Sequence, residues 1–127
     1  MNDKDRANIL AEVAIGCAIE VHKHLGPGLL ESVYEQALAF ELKEAGLSGV
    51  RQKRLPVIYK GHPLRDEYRL DLLVEDTLII EVKSVERLTM VHDAQLLTYL
   101  KLTGLWLGLL LNFNTPVMRQ GIKRLVN

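Results

Sequence analysis

The chain has 127 residues, enough for one hydrophobic core. Hydrophobic residues make up 48% and charged residues 25%, the balance of a soluble globular protein. Lys plus Arg and Asp plus Glu stand at 16 each, which excludes a global positive field, so a polyanionic partner would need a local basic surface.

Met1 to Arg6 is charged and no apolar leader follows, so no export signal is expected and a cytoplasmic location is the default. From Asp3 to about His24, Ile9, Leu10, Val13, Cys17 and Val21 recur at helical spacing, with Asp3 and Asp5 suited to the helix N-terminus. Gly16 inside that pattern predicts a close helix contact, since glycine there costs stability. The lone Cys17 cannot form an internal disulfide; it reads as a buried structural thiol in a reducing compartment. Gly26-Pro27-Gly28 ends the helix. A second helix is predicted from about Leu30 to Ala45, with Leu30, Tyr34, Ala37 and Leu38 in one stripe and Gly46 as its stop. Glu31 and Tyr34 are three apart and share a face, although an acid at that place also simply suits a helix N-terminus.

Val50 to Tyr59 reads as a strand and Gly61-His62-Pro63 as a turn. Arg51, Lys53, Arg54, Lys60, Arg65 and Arg69 put six basic residues in 19 positions. Such a run is either a solvated strand face or a groove that follows phosphates; in the second case Arg54, Lys60 and Arg69 are the expected nucleic-acid contacts.

Tyr68 to Ser84 contains two β-branched, apolar runs around Glu75-Asp76-Thr77, a β-hairpin pattern. A loop of residues 75 to 77 pairs Val74 with Leu78, sets Asp71 opposite Glu81 and Arg69 opposite Lys83, whereas a two-residue loop breaks the cluster. Glu81 and Lys83 are two apart and point to one face. Facing carboxylates repel, and a hard divalent cation held by oxygen atoms compensates them; Mg²⁺ takes one or two carboxylates plus waters and phosphate. A half-exposed hairpin with an ordinary cross-strand ion pair fits the same spacing.

Beyond a loop from Ser84 to Thr89, a helix is predicted from Met90 or Val91 to Thr103, with Gln95 and Tyr99 on one face. His92, one turn before Gln95, could touch substrate but reads, like His22 and His24, as an exposed helix histidine, and no Cys/His cluster has zinc spacing. Trp106 to Phe113 suits a central strand covered on both faces, and the densest apolar run, Leu105 to Leu111, is too short to span a bilayer. Gly121 to Val126 reads as an edge strand with Ile122, Arg124 and Val126 alternating against Lys123 and Leu125. The fold class is therefore α/β: a mixed sheet flanked by helices on both faces, with the helix after Lys83 crossing over between parallel strands.

Asp71, a hairpin, then Glu81-Val82-Lys83 resembles the active-site signature of the PD-(D/E)XK nuclease superfamily. Gly28, Glu31 and Tyr34 match the string that names its GxxExxY branch, and the resemblance runs from about Ile9 to Val126. One departure is Leu70, which stands where the superfamily's name has Pro. The resemblance implies a restriction-endonuclease-like α-β-β-β-α-β core in a single domain, residues 1–127, and a metal-dependent nuclease acting on DNA or RNA. It implies that Asp71, Glu81 and the Val82 carbonyl bind Mg²⁺ or Mn²⁺, with Glu31 helping directly or through water. Lys83 would orient or deprotonate the attacking water. Gln95 would position water or substrate with support from Tyr99, as in the Gln-x-x-x-Tyr motif of the exonuclease-like branch. A non-catalytic binding module that kept the fold, and hydrolysis of a small phosphoester, are the other readings. No membrane partner is expected, and a homodimer would enlarge the substrate surface.

Overall fold

A strand that is apolar at every position needs cover on both faces, and β4 (Leu107–Asn112) is buried at all six residues. In the computed structural model, which describes residues 1–127, β4 runs parallel to β3 (Leu78–Lys83), with Leu78 to Lys83 paired to Leu107 to Asn112. The sheet order is β1-β2-β3-β4-β5, and β1 (Gly49–Tyr59), β2 (His62–Val74) and β5 (Ile122–Val126) all pair antiparallel. Strand alternation then sorts side chains to opposite faces. Leu72, Val74, Leu78, Ile80, Val82, Leu107, Leu109 and Leu111 meet α1 (Asp3–Leu25) and α2 (Glu31–Glu44). Leu73, Ile79 and Leu110 meet Leu96, Tyr99 and Leu100 of α3 (Met90–Thr103) on the other side. The element order and the helices on both faces are those expected from the sequence. No helix is long and apolar enough to cross a membrane.

α1 buries Leu10, Cys17 and Val21 of the predicted stripe but not Ile9 and Val13. Ala7, Leu10, Ala11, Ala14, Cys17, Ala18 and Val21 face the core, while Ile9 and Val13 are exposed. Four alanines let the helix lie close to its neighbours and form much of its packing surface. Gly16 has open space where its Cβ would be and faces solvent, so the expected close contact does not exist. The N-cap is Asn2, whose side chain accepts from Asp5 N–H at 2.8 Å. His22 is buried against the Thr115 carbonyl at 2.8 Å. In α2, Leu30 is 73% exposed, and the buried face is Tyr34, Glu35, Leu38 and Leu42.

α3 is fixed at both ends and in its middle. Thr89 N–H donates to His92 Nδ1 at 3.0 Å, so His92 is a half-buried capping residue. Gly104 ends the helix with φ 74°, the left-handed region that glycine occupies without a steric cost. At Gly108 a Cβ would stand 2.8 Å from Leu96 Cδ1, so glycine in β4 is what lets α3 lie this close to the sheet. That closeness brings Gln95 and Tyr99 over the end of β3.

β5 keeps the expected alternation. Ile122 leans on the α1/α2 core and Leu125 on the α3 core, three positions apart, while Val126 is exposed. β1 and β2 outrun the sheet. β3 pairs only with Leu72 to Val74, so residues 53 to 70 form a two-stranded arm closed by Lys60 and Gly61, both at positive φ.

Candidate active site

The 75–77 loop sets Val74 against Leu78, and the ladder continues through Leu73 with Ile79 and Leu72 with Ile80. Asp71 and Glu81 come next in that register, and there the regular ladder stops. Asp71 N–H donates to Glu81 Oε2 at 2.9 Å, and Val82 N–H donates to Asp71 Oδ2 at 2.8 Å. The two carboxylates thus take the hydrogen-bonding places of main-chain carbonyls in the gap between the strands. β2 bends away at this point: Leu70 and Leu73, three apart, both join the α3 core, whereas Leu72 joins the other. The expected opposition of Arg69 to Lys83 therefore does not form, and Arg69 pairs only on its other edge, with Arg54 of β1.

Burial of this pair disfavours charge. Glu81 is 2% exposed, and burial first, then the neighbouring Asp71 carboxylate, push its carboxyl up to about 8. Asp71 is likewise raised, mainly by burial and against the opposing hydrogen bond from Val82. Lys83 is half-buried two residues beyond Glu81, and its Nζ donates to Gln95 Oε1 at 3.4 Å. Tyr99, one helical turn on, is buried; desolvation, then the Glu81 and Asp71 charges, push its hydroxyl up to about 12. Its ring lies 5.4 Å from that of Tyr68.

Glu31 arrives from the other side of the sheet. Its Oε2 accepts from Ser84 N–H at 3.1 Å, one residue past Lys83, while Ser84 Oγ donates to the Leu29 carbonyl at 2.7 Å. Leu29 N–H in turn donates to the Tyr34 hydroxyl at 3.0 Å, and that hydroxyl donates to the Gly26 carbonyl. Tyr34 is fully buried and stacked on Phe113 at 4.5 Å, so it anchors the turn before α2 and does not reach the carboxylates. The Gly28, Glu31, Tyr34 string therefore clips the turn before α2 to the segment that follows β3. Asn112 holds the same segment from below: its Oδ1 accepts from Val85 N–H and its Nδ2 donates to the Val85 carbonyl.

Two residues that the sequence did not single out stand beside Asp71. Glu35, 4% exposed, accepts from Gln52 Nε2 at 2.7 Å and from Arg51 Nε at 2.9 Å. Gln52 Nε2 also donates to Asp71 Oδ1 at 3.3 Å. With Glu31 and Ser32 these residues line an open pocket of about 350 Å³. Arg54 is held by Glu67 through two hydrogen bonds, whereas Lys60 and Arg69 are exposed and outside any ion pair.

The donor set suits a hard cation. Two carboxylates whose charged forms are disfavoured by burial and mutual repulsion gain from a divalent ion, and Mg²⁺ needs no more than one or two acids before completing its shell with water. No three His, Cys, Asp or Glu side chains form a cluster able to cage an ion, so any ion here would keep much of its water. A family model described as the PD-(D/E)XK nuclease superfamily matches residues 8–125. No curated protein and no solved structure matches the chain.

Proposed function

The chain belongs to the PD-(D/E)XK nuclease superfamily, and on that premise we propose that it hydrolyses phosphodiester bonds of DNA or RNA with a bound Mg²⁺ or Mn²⁺. Gly28, Glu31 and Tyr34 favour the GxxExxY branch. The observation that carries this reading is the reciprocal engagement of Asp71 and Glu81 between β2 and β3, with Lys83 alongside. Asp71 and Glu81 would hold the ion. The N–H and C=O of one strand residue face the same neighbouring strand, so the Val82 carbonyl, on the side of its N–H to Asp71, would offer a third oxygen. When bound, the ion supplies Lewis-acid polarisation of the phosphate and a water activated at neutral pH.

The other steps belong to the chain. Lys83 carries a compact positive charge with three donors; one donor on Gln95 leaves the rest to orient the attacking water and neutralise charge on the scissile phosphate. Gln95 fixes the ammonium and presents its own amide donors to substrate, with Tyr99 packed one turn behind. Glu31 holds Ser84 in place just past Lys83, and a water can link it to the ion as well. Lys60 and Arg69 meet the nucleic-acid backbone from the β1–β2 arm, and Arg54 joins them on leaving Glu67.

The test is digestion of single-stranded, double-stranded and circular DNA and of RNA with Mg²⁺ or Mn²⁺, beside Asp71→Ala, Glu81→Ala and Lys83→Ala. Metal-dependent cleavage that falls at least 100-fold in each variant, with an unchanged circular-dichroism spectrum, is the expected result. Equal cleavage by wild type and variants overturns it. Calorimetric titration with Mn²⁺ separates the nuclease from a binding module that kept the fold: the module would take up no ion.

A further inference from the structure

Gln52 does three things that an ordinary polar strand residue does not. Its backbone has φ 50°, a left-handed conformation that costs a non-glycine residue free energy and marks a place where the surroundings enforce the geometry. It is skipped in the β1–β2 ladder, which pairs Arg51 with Leu72 and Lys53 with Leu70, so it sits opposite Asp71 at the bend of β2. And its single amide nitrogen serves two carboxylates, Glu35 Oε1 at 2.7 Å and Asp71 Oδ1 at 3.3 Å.

An amide nitrogen has two hydrogens, and both are used. Glu35 is the acid that fixes the amide: it is buried, and its other oxygen is held by Arg51 Nε and Nη2, each at 2.9 Å. A chain of contacts therefore runs from Arg51 to Glu35, to Gln52, to Asp71 and on to Val82 N–H in β3. At its far end both Asp71 oxygens are engaged, Oδ1 by Gln52 and Oδ2 by Val82, which leaves the carboxylate one orientation.

We propose that Gln52, locked by Glu35, is a positioning residue that sets the orientation in which Asp71 receives the divalent ion. Outer partners of this kind act by aligning a ligand's lone pairs, and their loss characteristically weakens metal affinity by roughly 10- to 100-fold. Gln52 also separates Glu35 from Asp71 with a neutral donor, so the two acids are bridged and not left to repel one another. The inference rests on the metal-dependent reading of Asp71 and Glu81, and adds a determinant of ion affinity in β1 and α2, outside the motif.

The experiment is calorimetric titration of the full chain with Mn²⁺, free of nucleic acid, beside thermal unfolding in EDTA. Gln52→Ala is expected to weaken Mn²⁺ binding roughly 10-fold or more, with cleavage recovering most of its kcat at saturating metal. The decisive variant exchanges the two partners, Glu35→Gln with Gln52→Glu. It keeps the α2–β1 hydrogen bond and the total charge but removes the donor to Asp71. Weak Mn²⁺ binding in the exchanged protein, with an EDTA melting temperature near wild type, supports the proposal. An exchanged protein that binds Mn²⁺ like wild type overturns it, because the pair would then only hold α2 to β1. Unchanged Mn²⁺ affinity in Gln52→Ala overturns it too while leaving the metal site standing. A wild-type chain that takes up no Mn²⁺ overturns the proposal together with the reading beneath it.

Discussion

Glu81 is the residue whose chemistry departs furthest from its ordinary state. Its carboxyl holds a proton to about 8 in the folded chain against 4.5 when solvated. Between those values the native state binds more protons than the unfolded state, so stability falls as pH rises through the window and the full loss is present above 8. The loss is on the order of a few kcal/mol. Glu81→Gln keeps an acceptor for Asp71 N–H and removes the titrating charge. Urea unfolding in EDTA should therefore show the variant less pH-dependent than wild type from pH 5 to 8, and more stable at pH 8. Equal slopes would place the destabilising charge elsewhere. This site was legible because hairpin register is arithmetic: three loop residues, then pairs at constant sum, bring 71 to 81. Glu35 and Gln52 were not, because nothing in a helical acid or in a glutamine within a basic run reports that two elements will bring them together. The one available signal was weak, a Tyr34-Glu35 pair following the Glu31 that the motif had already marked.

Element boundaries followed the sequence closely, since Gly, Pro and apolar period locate them. Which face of α1 is buried followed only in part: Leu10, Cys17 and Val21 are buried as expected. Counting large apolar residues chose Ile9 and Val13, but the face is decided by what the sheet allows near it, and that is Ala7, Ala11, Ala14 and Ala18. Gly16 was read through the same error, as a contact, whereas it is a solvent-facing helical residue with open space around its missing Cβ. Gly16→Ala should accordingly stabilise the protein by about 0.5–1 kcal/mol, by restricting the unfolded chain and adding helix propensity without a clash. Chemical denaturation reads this as a higher midpoint at unchanged m. A lower midpoint would mean that another surface packs on this side of α1. Gly108 is the converse case, where the sequence shows only a glycine in an apolar run and the structure supplies the reason, Leu96 at 2.8 Å from the place of its Cβ.

Charge at the scale of the molecule is zero, yet it is not evenly spread. The arm of residues 53 to 70 holds Lys53, Arg54, Lys60, Arg65 and Arg69 against Asp66 and Glu67, a net charge of +3 beside a site that carries Asp71, Glu81, Glu35 and Glu31. Composition hid this because a local excess of bases on the ribbon and four acids in the cleft cancel within totals that balance. Phosphate binding by such an arm has a measurable signature: each phosphate-neutralising side chain removed should lower the slope of log K against log salt by about 0.7 to 0.9. Lys60→Ala, Arg65→Ala and Arg69→Ala combined should thus reduce the slope by roughly two to three and weaken binding with little regard to sequence. Arg54→Ala should do less, since its guanidinium is already engaged by Glu67. Fluorescence anisotropy on a Lys83→Ala background measures this without cleavage, and Asp71 and Glu81 remain untouched. The exposed Ile58, Tyr59 and Leu64 give the arm an apolar aspect as well. Were its role to join two copies of the chain, the triple variant would keep its salt slope, and substitution of Ile58 and Leu64 would instead change the sedimentation coefficient. A slope lowered by the triple variant at constant sedimentation assigns the arm to nucleic acid.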